Sequence, residues 1–185
     1  RGERVQFTYE VPYVFLREPG AIPGTSDRAN GLGDSTFGIK YRFYDDEATG
    51  VSFAIYPQLR FHTPGADRDV SEGGNTLILP LILVSEFETF SLTANLGLEA
   101  QSSERRVFAS FGAGTRLNND WALLGEVFGS DLNASDEKRV LLNVGVRRKI
   151  SETQSLSASL GRDIHVGGDA PKENHFNLTF QKLFE

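Results

Sequence analysis

The three histidines of this chain, His62, His165 and His175, are its best candidates for acid–base chemistry near neutral pH. Each is predicted to lie at the end of a β-strand, and His165 and His175 flank one connection. Nucleophilic catalysis would require a serine within hydrogen-bond reach of a histidine and a third group that orients the ring. The serines of Ser155–Ser159 are predicted near the opposite end of their strand from His165. We therefore predict no catalytic residues and no enzymatic activity.

Two acidic connections are candidates for a metal site. Their acidic residues are Asp67, Asp69, Glu72, Asp131, Asp136 and Glu137. Calcium is bound by about six to eight oxygen ligands, but neither group has the spacing of a calcium-binding loop. Gly31 and Gly33 lie in a predicted turn, and no helix follows them that could hold a phosphate. We predict no metal, nucleotide or other cofactor.

A larger set of polar residues alternates with apolar residues along the chain. In one segment Lys40 and Arg42 alternate with Ile39, Tyr41 and Phe43. Side chains of a β-strand point to opposite faces with period two, so such a segment has one apolar face and one charged face. The residues that this pattern assigns to the lumen of a barrel are Glu10, Lys40, Arg42, Gln58, Arg60, Asn95, Glu99, Arg116, Glu126, Asn143, Arg147, Asp163 and Gln181.

Both signs of charge occur in this set, which leaves two interpretations of the lumen. Oppositely charged residues in a confined space can pair and fill it, so that the barrel is plugged. The same residues can instead line a narrow polar passage that determines which solutes enter. Barrels of about eight strands are filled by their side chains, whereas about 16–18 strands leave an aqueous channel. With about ten strands, this barrel is close to the size at which side chains fill the lumen, so we do not predict a wide porin.

The elements that must position these residues are ten segments of about ten residues each. The predicted strands are Arg4–Leu16, Asp34–Tyr44, Val51–Thr63, Thr76–Phe87, Thr89–Ala100, Arg106–Leu117, Trp121–Ser130, Arg139–Ile150, Ser155–His165 and Asn174–Phe184. Tilted strands of about 9–11 residues cross a bilayer, and the strands of soluble sheets are mostly shorter. Tight connections alternate with longer ones, such as Glu18–Gly33, as the turns and outer loops of outer-membrane barrels do.

The predicted fold is therefore all-β: one antiparallel, up-and-down transmembrane β-barrel of about ten strands, with residues 1–185 as a single domain. A hydrophobic content of 39% and a mean hydropathy of -0.29 fit this fold, because only every second strand residue faces lipid. The longest apolar run, Leu77–Val84, is shorter than the roughly 18 residues of a membrane helix. Aromatic residues near the predicted strand ends are typical of the membrane interface.

The composition argues against other classes of function. The chain has no cysteine, which excludes a disulfide framework and cysteine-ligated zinc. Its formal net charge of -6 disfavours nucleic acid as a partner. Arginines at the predicted outer strand ends are instead candidates for contact with the phosphates of lipopolysaccharide. These residues are Arg17, Arg68, Arg105, Arg106 and Arg139.

Short motifs across most of the chain resemble those of a known family. The motifs are Glu10-Val11-Pro12-Tyr13, Gly31-Leu32-Gly33-Asp34, Phe37-Gly38-Ile39-Lys40-Tyr41-Arg42-Phe43, Pro57-Gln58, Leu92-Thr93-Ala94-Asn95-Leu96-Gly97 and Gly125-Glu126. They resemble the outer-membrane proteins of the putative MetA-pathway of phenol degradation. That family implies an additional N-terminal hairpin, and the chain contains no methionine. We therefore expect a trimmed start from which a signal peptide has been removed. If the missing residues supply another hairpin, the native barrel has about twelve strands; otherwise it has ten.

The resemblance implies a bacterial outer-membrane barrel that takes up aromatic or other hydrophobic compounds. Our first hypothesis is a passive channel or uptake protein for small molecules, monomeric or part of a membrane assembly, in contact with outer-membrane lipid and lipopolysaccharide. The alternative is a structural outer-membrane barrel with a plugged lumen, which anchors surface loops or a partner complex. A third hypothesis is a soluble ligand-binding barrel whose apolar face points inward.

Overall fold

The structure is a computed structural model that describes residues 4–19, 26–64, 74–134, 138–168 and 171–182. Its strands are β1 (Val5–Glu10), β2 (Tyr13–Pro19), β3 (Ser26–Leu32), β4 (Ser35–Asp46), β5 (Val51–Ile55), β6 (Gln58–Phe61), β7 (Thr76–Glu86), β8 (Phe90–Gln101), β9 (Glu104–Arg116), β10 (Trp121–Ser130), β11 (Arg139–Ser151), β12 (Gln154–Val166) and β13 (Asn174–Lys182). In these described ranges there is no helix that could cross a membrane.

Eleven of the described strands form one antiparallel sheet. Its order is β1-β4-β5-β7-β8-β9-β10-β11-β12-β13, and β6 pairs with the same two neighbours as β5. The remaining strands, β2 and β3, form a two-stranded sheet. From β8 onward each described strand therefore lies beside the strands that precede and follow it in the chain, which is the up-and-down arrangement that the sequence predicts.

Prolines interrupt two of the ladders. Pro12 separates β1 from β2, and Pro57 separates β5 from β6, because proline has no N–H to donate to a neighbouring strand. Their carbonyls still accept hydrogen bonds: Gly33 N–H donates to the Pro12 oxygen at 2.9 Å, and Ile39 N–H donates to the Pro57 oxygen at 3.0 Å. After each proline the strand therefore continues beside the same neighbouring segment of the chain.

The described strands differ from the ten predicted ones in three places. The predicted strands Arg4–Leu16 and Val51–Thr63 are each two strands, for the reason just given. The predicted long connection at Glu18–Gly33 is wrong, because β3 lies within it. The sequence of β3 is polar and lacks apolar alternation, so the alternation pattern does not mark it as a strand. It pairs with β2 through backbone hydrogen bonds. The structure thus contains thirteen strands in the described residues rather than ten.

The chain divides into two compact units. Unit 1 comprises Arg1–Tyr41, Ile55–Leu79 and Glu99–Arg105. Unit 2 comprises Arg42–Ala54, Pro80–Leu98 and Arg106–Glu185. Each side-chain contact of the candidate site lies within one unit or the other.

Exposure alternates along the strands with the predicted period. In β4 the residues 36, 38, 40 and 42 are less exposed than the residues 37, 39, 41 and 43, and β7 and β12 show the same alternation. We call these the sheltered face and the exposed face. Among the described residues 35 large hydrophobic side chains are exposed, whereas Ala54, Ile78 and Ile82 are the three buried hydrophobic ones. This distribution is the reverse of that in a water-soluble protein, whose apolar side chains form the core.

The turn between β4 and β5 is closed by Asp46 and Gly50. The Asp46 carboxylate accepts hydrogen bonds from the Thr49 hydroxyl at 2.8 Å and the Ala48 N–H at 3.0 Å. These bonds favour the charged form, the one from Thr49 most strongly, and hold the pKa of Asp46 below its ordinary value. Gly50 has a φ of 68°, and a Cβ there would collide with the Glu86 carbonyl oxygen.

Replacing Gly50 with alanine is expected to destabilise the folded protein by about 2 kcal/mol or more. A left-handed φ costs a residue other than glycine about 1–3 kcal/mol, and the collision with a backbone oxygen adds to this. Urea unfolding in detergent micelles measures the difference. Gly125→Ala is the control, because a Cβ at Gly125 would lie 4.0 Å from its nearest neighbour. Equal stability of the two variants would contradict the prediction.

Candidate functional site

Oppositely charged side chains on the sheltered face of unit 1 pair across the sheet. The guanidinium of Arg60, on β6, donates to the carboxylate of Glu99, on β8, at 3.1 Å. Thr76, on the intervening strand β7, is the register partner of Arg60 and is buried. The ion pair therefore bridges two strands that are not direct neighbours.

Tyr56 covers a second part of the same face. Its hydroxyl forms a hydrogen bond of 2.6 Å with the Thr8 hydroxyl, so that its ring lies over Gly38. A Cβ on Gly38 would lie 2.6 Å from a ring carbon of Tyr56 and 2.8 Å from Thr8 Oγ1. The absence of a side chain at position 38 is what allows the aromatic ring to pack against the sheet.

A group of buried hydroxyls lies at the start of β4. Ser35 is fully buried, and its Oγ is 2.7 Å from the Thr63 hydroxyl, which donates to the Gly33 carbonyl at 2.7 Å. Nearby, His62 Nδ1 is 3.6 Å from Asp34 Oδ1, and the His62 side chain is about half exposed. Ser35 is thus held by neighbouring oxygens. The absence of enzymatic activity stays a prediction.

In unit 2 the strand register builds rows of facing residues. One row runs through Gly112, Glu126, Asn143, Gly161 and His175, on β9 to β13. Its two glycines leave space beside the larger side chains. A Cβ on Gly161 would collide with the Asn143 amide oxygen, which shows that this side chain lies over the glycine.

The next row of unit 2 is more aromatic. The rings of Phe108 and Phe128 lie 5.9 Å apart, and Phe108 packs directly against Gly97. The Asn95 amide donates to the Ser110 hydroxyl at 2.8 Å. The sheltered face of unit 2 therefore carries an aromatic pair close to polar side chains.

Asp163 is the most enclosed charged residue described, with 1% of its surface exposed. Its Oδ2 accepts hydrogen bonds from the Arg139 guanidinium and from the Glu173 N–H, both at 3.0 Å. Arg139 also donates to the Glu173 carboxylate at 2.8 Å. On the other side of Asp163, Oδ1 is 3.6 Å from His175 Nε2. Two carboxylates, an imidazole and a guanidinium thus meet at the end of β12.

Comparison of the sequence with known protein families gives a match. Residues 2–180 match the family described as "Putative MetA-pathway of phenol degradation". The chain belongs to this family. No curated protein matches the chain.

The family resemblance predicted from the sequence is therefore confirmed. Two of the motifs that carry it face each other in this member of the family. Pro12 and Gly33, which are joined by a backbone hydrogen bond, belong to the first and the second motif. Gly38 of the third motif is the residue under the Tyr56 ring.

The thirteen predicted lumen residues have three kinds of environment in this family member. Asp163 is buried. Eight others are partly exposed: Lys40, Arg42, Gln58, Arg60, Asn95, Glu99, Glu126 and Asn143. Four lie near strand ends and are exposed: Glu10, Arg116, Arg147 and Gln181. Their role as lumen residues stays a prediction.

The thirteen predicted lumen residues do not include three residues that surround Asp163. These are Arg139, Glu173 and His175. A signal for His175 was present, because period two from the predicted lumen residue Gln181 leads back to position 175. No such signal exists for Glu173, which lies in a connection. The Arg139 guanidinium donates to Asp163 and Glu173. Its contact with lipopolysaccharide stays a prediction.

The other predicted phosphate-binding arginines and acidic connections are only partly described. Arg106 Nε lies 3.6 Å from Asp131 Oδ1. The side chain of Arg17 lies outside the described side chains, and Arg68 lies outside the described residues. The acidic residues Asp67, Asp69, Glu72, Asp136 and Glu137 also lie outside the described residues.

Aromatic residues of unit 2 gather at the ends of the strands that carry the short turns. The rings of Phe87 and Phe90 stack at 4.3 Å across the β7–β8 turn. The Arg148 guanidinium lies 5.5 Å from the centre of the Trp121 ring. Tyr44 packs edge-on against Phe53 at 5.8 Å beside the β4–β5 turn. These positions agree with the prediction of aromatic residues near strand ends.

Proposed function

We propose that this family member is a bacterial outer-membrane β-barrel that acts as a passive channel or uptake protein for small molecules, including aromatic and hydrophobic ones. Its exposed face contacts outer-membrane lipid and lipopolysaccharide, and its sheltered face lines the lumen. The protein works as a monomer or within a membrane assembly. No catalytic step is part of this proposal.

The single observation that carries the proposal is the exposed apolar face. Water-soluble monomers rarely expose contiguous apolar patches larger than a few hundred Å². Here apolar side chains occupy the exposed positions of strand after strand, and Leu160 and Phe7 are each 68% exposed. Lipid is the environment in which such a face is stable, provided that the backbone is fully hydrogen-bonded within a closed sheet.

The aromatic residues at the short-turn ends give independent support. Trp and Tyr rings favour the boundary between headgroups and acyl chains. Trp121 and Tyr44 are both exposed beside short turns. This position agrees with a membrane boundary at that end of the strands.

Features of the sheltered face support uptake of solutes that are partly apolar. The rings of Phe108 and Phe128 lie 5.9 Å apart and give the sheltered face of unit 2 aromatic surface, close to the Asn95 amide and the Ser110 hydroxyl. An aromatic solute can stack on such rings while its polar groups contact neighbouring amides and hydroxyls. This combination favours small aromatic molecules over sugars.

One observation favours the alternative of a plugged structural barrel. Charged side chains of the sheltered face are paired with each other, as Arg60 is with Glu99 at 3.1 Å. Paired charges within a narrow barrel obstruct it, and they do not need a solute to balance them. The two proposals therefore differ in whether wild-type protein conducts.

Purified protein reconstituted into lipid vesicles is expected to admit benzoate at a rate at least tenfold above that of protein-free vesicles. Uptake of arabinose, which has no aromatic surface, serves as the comparison solute. Phe128→Ala is expected to reduce benzoate uptake several-fold, because it removes one ring of the aromatic pair, and to leave arabinose uptake unchanged.

Conductance across a planar bilayer gives a second measure of the same proposal. Folded protein that shows neither flux nor conductance would remove the channel and support the plugged barrel. Protein that stays monomeric in plain buffer without detergent would remove both, because a lipid-facing barrel must aggregate there.

A further inference from the structure

Three buried polar atoms without a hydrogen-bond partner lie on one part of the sheltered face of unit 2. Within the described residues these atoms are Asn143 Oδ1, Asp163 Oδ1 and His175 Nε2. Buried polar groups of folded proteins are nearly always hydrogen-bonded, so three unsatisfied atoms in one neighbourhood call for a common explanation.

The strand register brings the three residues together. Asn143 on β11 and His175 on β13 are the two register partners of Gly161 on β12. Asp163 follows two positions later on β12, on the same face. Because Gly161 has no side chain, the amide of Asn143 lies over it. The three unsatisfied atoms therefore belong to residues that are neighbours on this face of the sheet.

The distances suit a metal ion better than a direct contact. Asp163 Oδ1 and His175 Nε2 are 3.6 Å apart, which is longer than a hydrogen bond. Metal-ligating atoms of Asp163, Glu173 and His175 all lie within 4.8 Å of one another. Two ligands of a tetrahedral zinc ion, each about 2.0–2.1 Å from the metal, are separated by about 3.4 Å. The observed separation is close to this value.

From these observations we infer that Asp163, Glu173 and His175 bind one divalent transition-metal cation such as Zn²⁺, with Asn143 as an additional oxygen donor. An imidazole nitrogen beside carboxylate oxygens is a donor set for zinc-like ions. Calcium and magnesium prefer sites made of oxygen alone. This proposed metal site differs from the prediction of no metal that we made from the sequence.

Arg139 has a supporting part in this site. Its guanidinium contacts Asp163 Oδ2 at 3.0 Å and Glu173 Oε2 at 2.8 Å, so one oxygen of each carboxylate remains for the cation. The Glu173 N–H also donates to Asp163 Oδ2. Hydrogen bonds from outer residues orient the carboxylate ligands of metal sites in this way.

The test uses the folded, detergent-solubilised protein after removal of metal with a chelator. Titration calorimetry with ZnCl₂ is expected to show one site per chain with a dissociation constant in the micromolar range or below. The variants H175Q and D163N are expected to weaken binding at least tenfold. H165Q is the matched control, because His165 is an exposed histidine two residues beyond Asp163.

Cobalt substitution of the wild-type protein gives a readout that does not depend on whether a variant folds. Intense visible absorption bands from bound Co²⁺ would support the mixed nitrogen and oxygen site. The absence of binding at millimolar Zn²⁺, or binding that H165Q abolishes and H175Q does not change, would overturn the inference. Either result would assign the three atoms to water-filled space within a salt-bridge network.

Discussion

Replacing Leu160 with arginine is expected to destabilise the protein in lipid by about 2–4 kcal/mol, the cost of a cationic side chain near the bilayer midplane. Leu160 is the central residue of β12 and is 68% exposed. In a water-soluble sheet the same substitution would change stability little, because an exposed leucine loses almost no buried contact when it is replaced.

Asn177→Arg provides the matched control for this experiment. Asn177 is also exposed, but it is the register partner of Ser159, which lies on the sheltered face of β12. Urea unfolding in phospholipid vesicles measures both variants, and gel mobility before and after heating confirms that each is folded. Equal stability of the two variants would contradict the assignment of the apolar face to lipid.

Replacing Asp163 with alanine is expected to destabilise the metal-free protein by about 3 kcal/mol. The substitution leaves the Arg139 guanidinium and the Glu173 N–H without the carboxylate that binds both, and breaking a buried ion pair costs about 3–5 kcal/mol. We expect the lower end of this range, because the Arg139 side chain is 32% exposed.

Glu173→Ala is the comparison variant, since Glu173 contacts the same guanidinium at 2.8 Å but has a side chain that is 52% exposed. An exposed ion pair contributes about 0–1 kcal/mol, so this variant should lose no more than that. Both are measured by urea unfolding in the presence of a chelator. A loss for Glu173→Ala as large as that for Asp163→Ala would contradict the importance of burial.

Most strand positions could be predicted because alternation is a local property of the sequence. β7 is an example: its predicted range was Thr76–Phe87 and its described range is Thr76–Glu86. β3 could not be predicted in the same way, because its residues Ser26–Leu32 are held by backbone pairing with β2 and no apolar face marks them. Backbone hydrogen bonds are available to any residue except proline, so they leave little trace in residue type.

The site could be predicted only in part, for a related reason. Alternation assigned Asn143 and Asp163 to the interior, but it could not show that they meet His175. That meeting depends on the register between β11, β12 and β13, which shifts between Val140 and Leu141. Register is set by turns and bulges as well as by pattern, so it is not contained in the spacing of the polar residues.

The order of strands from β4 to β13 has a consequence for how such proteins diversify. From β8 onward each described strand pairs only with the strands that precede and follow it in the chain, so this part of the sheet is a series of hairpins. Duplication or loss of one hairpin would change the circumference of a closed sheet without breaking the remaining pairings. In the closed barrel that we propose, the circumference can therefore evolve in steps of two strands.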